Sequence, residues 1–180
     1  MRRVLALCLP GLLLAAGCAT KAYVDFDPEA RFDRFRTWAW LQDEARTSEE
    51  AAGGADPLLL RRIRTTIANG LVAKGYSQVD DPASADFAVS FSVGAREKLE
   101  QSQVSVGTGW GGRYGGWYAT APVAAQSYTE GTLAIDVFDV RSQQAVWHGR
   151  ASRRVTPSMD REELVNDVVG AILAKFPPER

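Results

Sequence analysis

The segment Phe87–Val93 alternates strictly between apolar residues and small or polar residues. The apolar positions are Phe87, Val89, Phe91 and Val93, and the intervening positions are Ala88, Ser90 and Ser92. Because successive side chains of a strand point to opposite faces, this pattern predicts a strand with one covered face. One-sided strands are typical of antiparallel sheets, which constrains the fold of the whole chain.

Further segments carry the same alternation and predict more strands of one sheet. They are Ala22–Asp27, Thr37–Trp40, a weaker run over Gln101–Val106, Tyr128–Val140 and Gln144–Val155. A turn at Asp139–Gln143 would join the last two into a hairpin. In the final strand we expect one apolar side, made of Ala145, Trp147, Gly149 and Ala151.

Two amphipathic helices are predicted to cover this sheet. The first begins at Asp56-Pro57, an N-cap acid followed by proline, and ends near Gly75. The second carries an apolar stripe from Leu164 to Phe176 and stops at Pro177. A polar loop is predicted over Gln42–Ala55. The chain as a whole is predicted to be an α+β protein with two layers: a mainly antiparallel sheet, and two helices that both pack on one face of it.

The first residues form a leader with a basic start and a short apolar run. Arg2 and Arg3 precede an apolar stretch too short to span a bilayer, which needs about 20 residues. Small residues then lead directly into Cys18, in the segment LLLAAGC. This arrangement resembles the lipobox of bacterial lipoproteins, in which the cysteine is acylated and becomes the mature N-terminus. A plain signal peptide with a chance cysteine is the alternative.

Acylation of Cys18 would anchor the mature chain in a membrane. By the sorting pattern of such lipoproteins, Ala19 after the cysteine points to the outer membrane and its periplasmic face, since aspartate there favours the inner membrane. Cys8 would leave with the leader, so no pair of cysteines remains for a disulfide. Cleavage leaves 19 of the 21 Lys and Arg residues against 22 Asp and Glu residues, which gives no basic field for nucleic acid.

Several segments together resemble the DUF4136 family of bacterial lipoproteins, whose function is unknown. They are TWAW, LVAKGY, ADFAVSF, YTEGTLAIDVFD, AVWHGRA and FPP, spread over most of the mature chain. The resemblance implies an α+β envelope lipoprotein without established catalytic residues or cofactors. Together with the lipobox, this resemblance divides the chain into a signal peptide (1–17), an acylated tether (18–22) and a domain (23–180) with a Gly- and aromatic-rich loop (107–127).

That loop is the first candidate binding segment. Its aromatic residues Trp110, Tyr114, Trp117 and Tyr118 are interleaved with glycines. Exposed aromatics of this kind stack on sugars or anchor protein contacts. A simple hairpin extension whose aromatics fold back over the sheet explains the composition equally well.

Enzymatic motifs are weak in this sequence. His148 is the single histidine, and its register in the final strand places it on the polar face, as a surface or edge residue. Glu130 and Asp136 share a strand face, and paired carboxylates hydrolyse glycosides when suitably spaced. No metal site is predicted, because His148 has no second histidine or free cysteine beside it.

We therefore predict a non-enzymatic envelope module, structural or binding, held at the membrane by a lipid on Cys18. An envelope protein or a glycan is the expected partner. Two alternatives remain: a cell-wall hydrolase that uses Glu130 and Asp136, and a lipid or assembly factor with an apolar cavity between sheet and helices.

Overall fold

A computed structural model describes residues 20–47, 56–100 and 126–179. These residues form one sheet of six strands in the order β1-β6-β5-β4-β2-β3, with two helices packed on one face. The elements are β1 (Ala22–Phe26), β2 (Thr37–Thr47), α1 (Pro57–Ala73), β3 (Ser77–Gln78), β4 (Phe87–Glu100), β5 (Gln126–Asp139), β6 (Gln144–Val155) and α2 (Arg161–Leu173). The predicted α+β class is confirmed.

The sheet is mixed, although most of its pairing is antiparallel. Strands β1, β6, β5 and β4 pair antiparallel in succession. β2 then pairs parallel with both β4 and β3. The Asp86 carboxylate secures the start of the parallel pair, because its Oδ2 accepts hydrogen bonds from the backbone N–H groups of Arg36 (2.8 Å) and Thr37 (2.9 Å).

The alternation of β4 and β5 predicts the core face correctly. Phe87, Val89, Phe91, Leu133, Ile135 and Val137 are all buried on the helix side of the sheet. Ile63, Ile67 and Leu71 of α1 and Val168, Val169 and Ile172 of α2 pack against them. Trp38, Trp40 and Trp147 are core residues as well.

Helix α1 begins as predicted, and both helices have an aspartate N-cap. The Asp56 side chain accepts a hydrogen bond from Leu58 N–H at 2.9 Å, and Pro57 occupies the first helical position. The Asp160 carboxylate accepts from Glu162 N–H at 2.7 Å and Glu163 N–H at 3.1 Å. Gly75, just after α1, has a φ of 91°, a conformation that side chains disfavour.

Helix α2 ends earlier than its apolar stripe. It stops at Leu173, and Phe176 reaches the core from the following turn, with its ring centroid 5.2 Å from that of Trp147. The reason is local, because a residue before proline is disfavoured in helical conformation.

Several predicted boundaries need correction. β2 runs through residue 47, into the predicted loop, because after a bulge it pairs with Phe91–Val93 of β4. β4 continues to Glu100, the two-residue strand β3 was not predicted, and β5 already includes the last two residues of the predicted 107–127 loop. Ala145 is exposed rather than on the apolar side, because a register shift opposite Val137 turns Val146 inward instead. The predicted strand Gln101–Val106 lies outside the described residues.

Candidate functional site

The residues predicted to carry lipid and ligand lie outside the described ranges. These are Cys18 for lipidation and Trp110, Tyr114, Trp117 and Tyr118 for binding. Their roles stay predictions. The structure does show where the chain enters the domain: Thr20 Oγ1 accepts a hydrogen bond from Arg153 Nη1 at 2.6 Å, near the end of β6.

The ends of several secondary-structure elements lie together at one end of the domain, which we call the Thr20 end. It contains Thr20, the last residues of β6 and the first turns of α1 and α2. Leu59, Val155 and Leu164 line one small apolar concavity there, together with Val93 and Gly131. At this end β4 leads into residues 101–125, and the adjacent strand β5 begins after them.

The sheet face opposite the helices, here called the outer face, carries polar and charged side chains. Asp25, His148, Asp136 and Ser90 form one cross-strand row. His148 Nδ1 lies 2.7 Å from Asp136 Oδ1, and both side chains are partly exposed. Asp136 separates Ser90 from His148 in this row, so no serine–histidine contact forms. Among the described residues, no group of three or more His, Cys, Asp or Glu could hold a metal ion.

Glu130 and Asp136 do not form a catalytic pair in this geometry. They lie on one face of β5 but six residues apart, which is roughly 20 Å at about 3.4 Å per residue. Glycosidases that use two carboxyl groups hold them about 5–9.5 Å apart. Each acid also has its own partner: Glu130 Oε2 lies 2.6 Å from Lys98 Nζ, and Asp136 contacts His148.

Two concavities of the described residues bear on the hydrolase and lipid-carrier alternatives. One of about 560 Å³ includes Asp86 and Asp139 in its lining, but both carboxylates already accept hydrogen bonds from backbone N–H groups. At Asp86 the hydrogen bond from Thr37 N–H has the largest effect and, with the one from Arg36 N–H, lowers the pKa of the carboxyl group. The apolar concavity between sheet and helices has a volume of about 90 Å³, far too small for a lipid molecule.

Basic side chains dominate the outer face near the Thr20 end. Arg96, Lys98, Arg150 and Arg154 are exposed there, and the partly exposed acid Glu130 lies opposite Arg96 and Arg154. Arg154 lies over the Tyr128 ring, 4.5 Å from its centroid. Lys21 and Arg150 approach the Tyr23 ring at 5.0 and 5.8 Å. The hydrogen bond to Glu130 raises the pKa of Lys98.

Strand β1 forms one edge of the described sheet and exposes large apolar side chains. Tyr23 is 54% exposed, Val24 37% and Phe26 36%. An edge strand offers unpaired backbone groups along its length, and exposed apolar residues on such a strand favour association with another chain.

Sequence reasoning missed both the basic cluster and the apolar edge. The signal for the cluster was present, because Arg96 and Lys98, like Arg150 and Arg154, recur at even spacing within one strand. Recognising it requires the register between β4, β5 and β6, which no single segment contains. The edge position of β1 likewise depends on its pairing with β6.

The fold is similar to the crystal structure of a DUF4136 family protein from Bacteroides thetaiotaomicron, at 16% identity and a TM-score of 0.57, over 88% of this chain and 96% of that one. A PelC dodecamer from Paraburkholderia phytofirmans is similar at 12% identity and a TM-score of 0.51, over 86% and 94%. Identities this low show likeness of fold alone.

No curated protein matches the sequence significantly. Neither described helix has the length and apolar character required to cross a membrane. The sequence model of DUF4136, a domain of unknown function, matches residues 22–178, which is nearly the whole of the chain after the leader. The chain therefore belongs to the DUF4136 family.

Proposed function

We propose that this DUF4136 protein is an envelope lipoprotein whose domain works by association and not by catalysis. In this proposal residues 1–17 are a cleaved signal peptide, and a lipid on Cys18 holds the protein in the outer membrane, facing the periplasm. The leader, with LLLAAGC at its end, supports the anchor. The separation of Glu130 from Asp136 weighs against the hydrolase alternative, and the small apolar cavity weighs against the lipid-carrier alternative.

The observation that carries the binding role is the exposed edge strand β1. Proteins usually protect edge strands with charge, proline or a covering element. β1 carries one such charge, Asp25, but exposes Tyr23, Val24 and Phe26 beside it in a strand of five residues. A partner strand that pairs with β1 would extend the sheet and cover these side chains.

A second copy of the chain is the partner we propose for this edge. PelC, which has a similar fold, assembles as a dodecamer, so this architecture is compatible with closed self-assembly. An envelope protein or a glycan bound by the Gly- and aromatic-rich loop is the other candidate. Trp110, Tyr114, Trp117 and Tyr118 would then supply the contacts.

Self-association is tested with the mature chain carrying Cys18→Ser, so that no lipid contributes. Light scattering during size-exclusion chromatography should report an oligomer whose mass falls on dilution. Val24→Lys should shift it to monomer, whereas Val72→Lys, an exposed valine on α1, should not. Monomer at all concentrations would contradict self-assembly through β1.

The anchor is tested separately in cells. A palmitate analogue should label the wild-type chain but not Cys18→Ser, and the label should sediment with outer membranes. Failure of both chains to label would remove the lipoprotein assignment and leave the β1 experiment intact.

The loop is tested by deletion of residues 107–123. If Trp110, Tyr114, Trp117 and Tyr118 bind a partner, the shortened chain should keep its unfolding midpoint and lose envelope proteins or glycans captured by crosslinking. An unchanged set of captured molecules would contradict this role.

A further inference from the structure

We propose that the outer face near the Thr20 end docks on the anionic headgroup surface of the lipid membrane. The surface consists of Lys21, Arg96, Lys98, Arg150 and Arg154, with Tyr23 and Tyr128 between them, and we call it the basic face. The inference rests on the proposed anchor only for its orientation argument. The charge and geometry of the basic face stand independently.

The basic face is built by cross-strand register. Arg154, Glu130 and Arg96 lie opposite one another on β6, β5 and β4. Lys98 lies opposite Tyr128, and Arg150 lies opposite Tyr23 on β1. Directly opposed residues point to the same face of a sheet, so β4 and β6 present four of the cations on one surface, together with Tyr128 of β5 and Tyr23 of β1.

The charge of the basic face opposes that of the chain as a whole. Among the side chains that the structure describes, five cations and one acid, Glu130, make up this surface, on a chain whose formal net charge is −1. Asp25 and Asp136, two further acids described on the outer face, lie with His148 in the row farther from the Thr20 end. Charge on the outer face is therefore separated, with the cations gathered at one end.

The position of the tether selects the membrane as occupant. Thr20 is hydrogen-bonded to Arg153, which precedes Arg154 of the basic face in β6 but points to the helix side of the sheet, where it also lies 3.8 Å from Asp167 of α2. Cys18 precedes Thr20 by two residues. Two residues span at most about 7 Å. A lipid on Cys18 therefore brings the bilayer within a few ångströms of the Thr20 end, where basic residues gain from nearby anionic lipids.

The tyrosines fit the same location. Tyr128 stacks under Arg154, and Tyr23 lies between Lys21 and Arg150. Tyrosine is enriched at membrane–water interfaces, because its ring is apolar and its hydroxyl is polar. The combination of stacked tyrosines and exposed cations is suited to headgroups and their phosphate groups.

The test uses the mature chain with Cys18→Ser, so that binding reports the basic face alone. Co-sedimentation is measured with vesicles of phosphatidylethanolamine and phosphatidylglycerol, and with vesicles of phosphatidylcholine. We expect binding to the anionic vesicles that weakens as salt is raised. Arg96→Gln/Arg150→Gln/Arg154→Gln should reduce the partition coefficient roughly fivefold per cation, or about a hundredfold in total.

Two controls separate charge from folding. Arg34→Gln/Lys74→Gln/Arg141→Gln removes the same charge at the opposite end of the domain and should bind as the parent does. Replacing Arg96, Arg150 and Arg154 by lysine keeps the charge and should retain most binding. Circular dichroism and unfolding midpoints confirm that each variant is folded.

The proposal is overturned by equal binding to phosphatidylcholine, by equal loss in the opposite-end control, or by loss in a folded lysine variant. Binding to a soluble acidic polysaccharide without binding to anionic vesicles would also overturn it, and would assign the basic face to a polymer. Acyl labelling of Cys18 is read in a different experiment, so failure of the anchor and failure of the basic face are distinguishable.

Discussion

Gly149 shows how closely the last strand and the last helix approach. A Cβ at this position would overlap the Trp147 indole and lie 2.7 Å from Ile172 Cγ2. The indole lies over the glycine because residues two apart on a strand share a face. The absence of a side chain here therefore allows Trp147 to lie between β6 and α2, where it is 1% exposed.

Replacing Gly149 by alanine should lower the free energy of unfolding by about 2 kcal/mol, because Trp147 and α2 must shift. Gly170→Ala is the matched control. A Cβ there meets nothing within 4 Å, and Gly170 is exposed within α2, so the change should stabilise the protein by about 1 kcal/mol. Urea unfolding of both variants measures the contrast, and equal effects would contradict this packing.

Asp86 makes stability depend on pH. Its ionised carboxylate accepts two backbone N–H groups at the start of β2, so its folded-state pKa is lowered from 3.8. Asp86→Ala should cost about 2 kcal/mol at neutral pH. Because the folded-state pKa is the lower one, this stabilisation is complete above the unfolded-state value and is lost as pH falls through the folded-state value.

Urea unfolding of wild type and Asp86→Ala at pH values from neutral to acid measures that dependence. The difference between the two proteins should be constant near neutrality and shrink below the unfolded-state pKa of 3.8. A difference that stays constant into acid would show that the carboxylate charge contributes nothing.

At the scale of secondary-structure elements, the local residue pattern predicts which type of element a segment forms. The alternation from Phe87 to Val93 and the apolar spacing of α1 identify a strand and a helix, because each period reflects one backbone geometry. Pairing depends on the rest of the chain. The parallel contact of β2 with β4, the tiny strand β3 and the inward turn of Val146 all arise from register between distant segments.

The apolar stripe of α2 should carry much of the stability of the helix layer. Ile172 is fully buried, so Ile172→Ala should lower the free energy of unfolding by about 3 kcal/mol. Val72 on α1 is 56% exposed, and Val72→Ala should change stability by less than about 0.5 kcal/mol. Similar losses in the two variants, measured by urea unfolding, would mean that α2 is not seated on the sheet as described.

At the scale of the whole molecule, the candidate site could be predicted only in part. The leader predicts an anchor at Cys18 because targeting signals are linear and need no fold. The basic face combines residues from strands far apart in sequence, and β1 is an edge only because of its place in the sheet order, so neither surface can be predicted before the strand pairing is known. The two surfaces share β1, since Tyr23 belongs to both.

In the proposed function the domain is held at a membrane and acts by association through β1. The most direct test places a photo-crosslinking amino acid at Val24 in the acylated protein inside cells, and at Val72 as the exposed control. We predict a discrete adduct from position 24, of twice the chain mass for self-assembly, and none from position 72. No adduct from position 24, or the same adducts from both positions, would contradict the central claim.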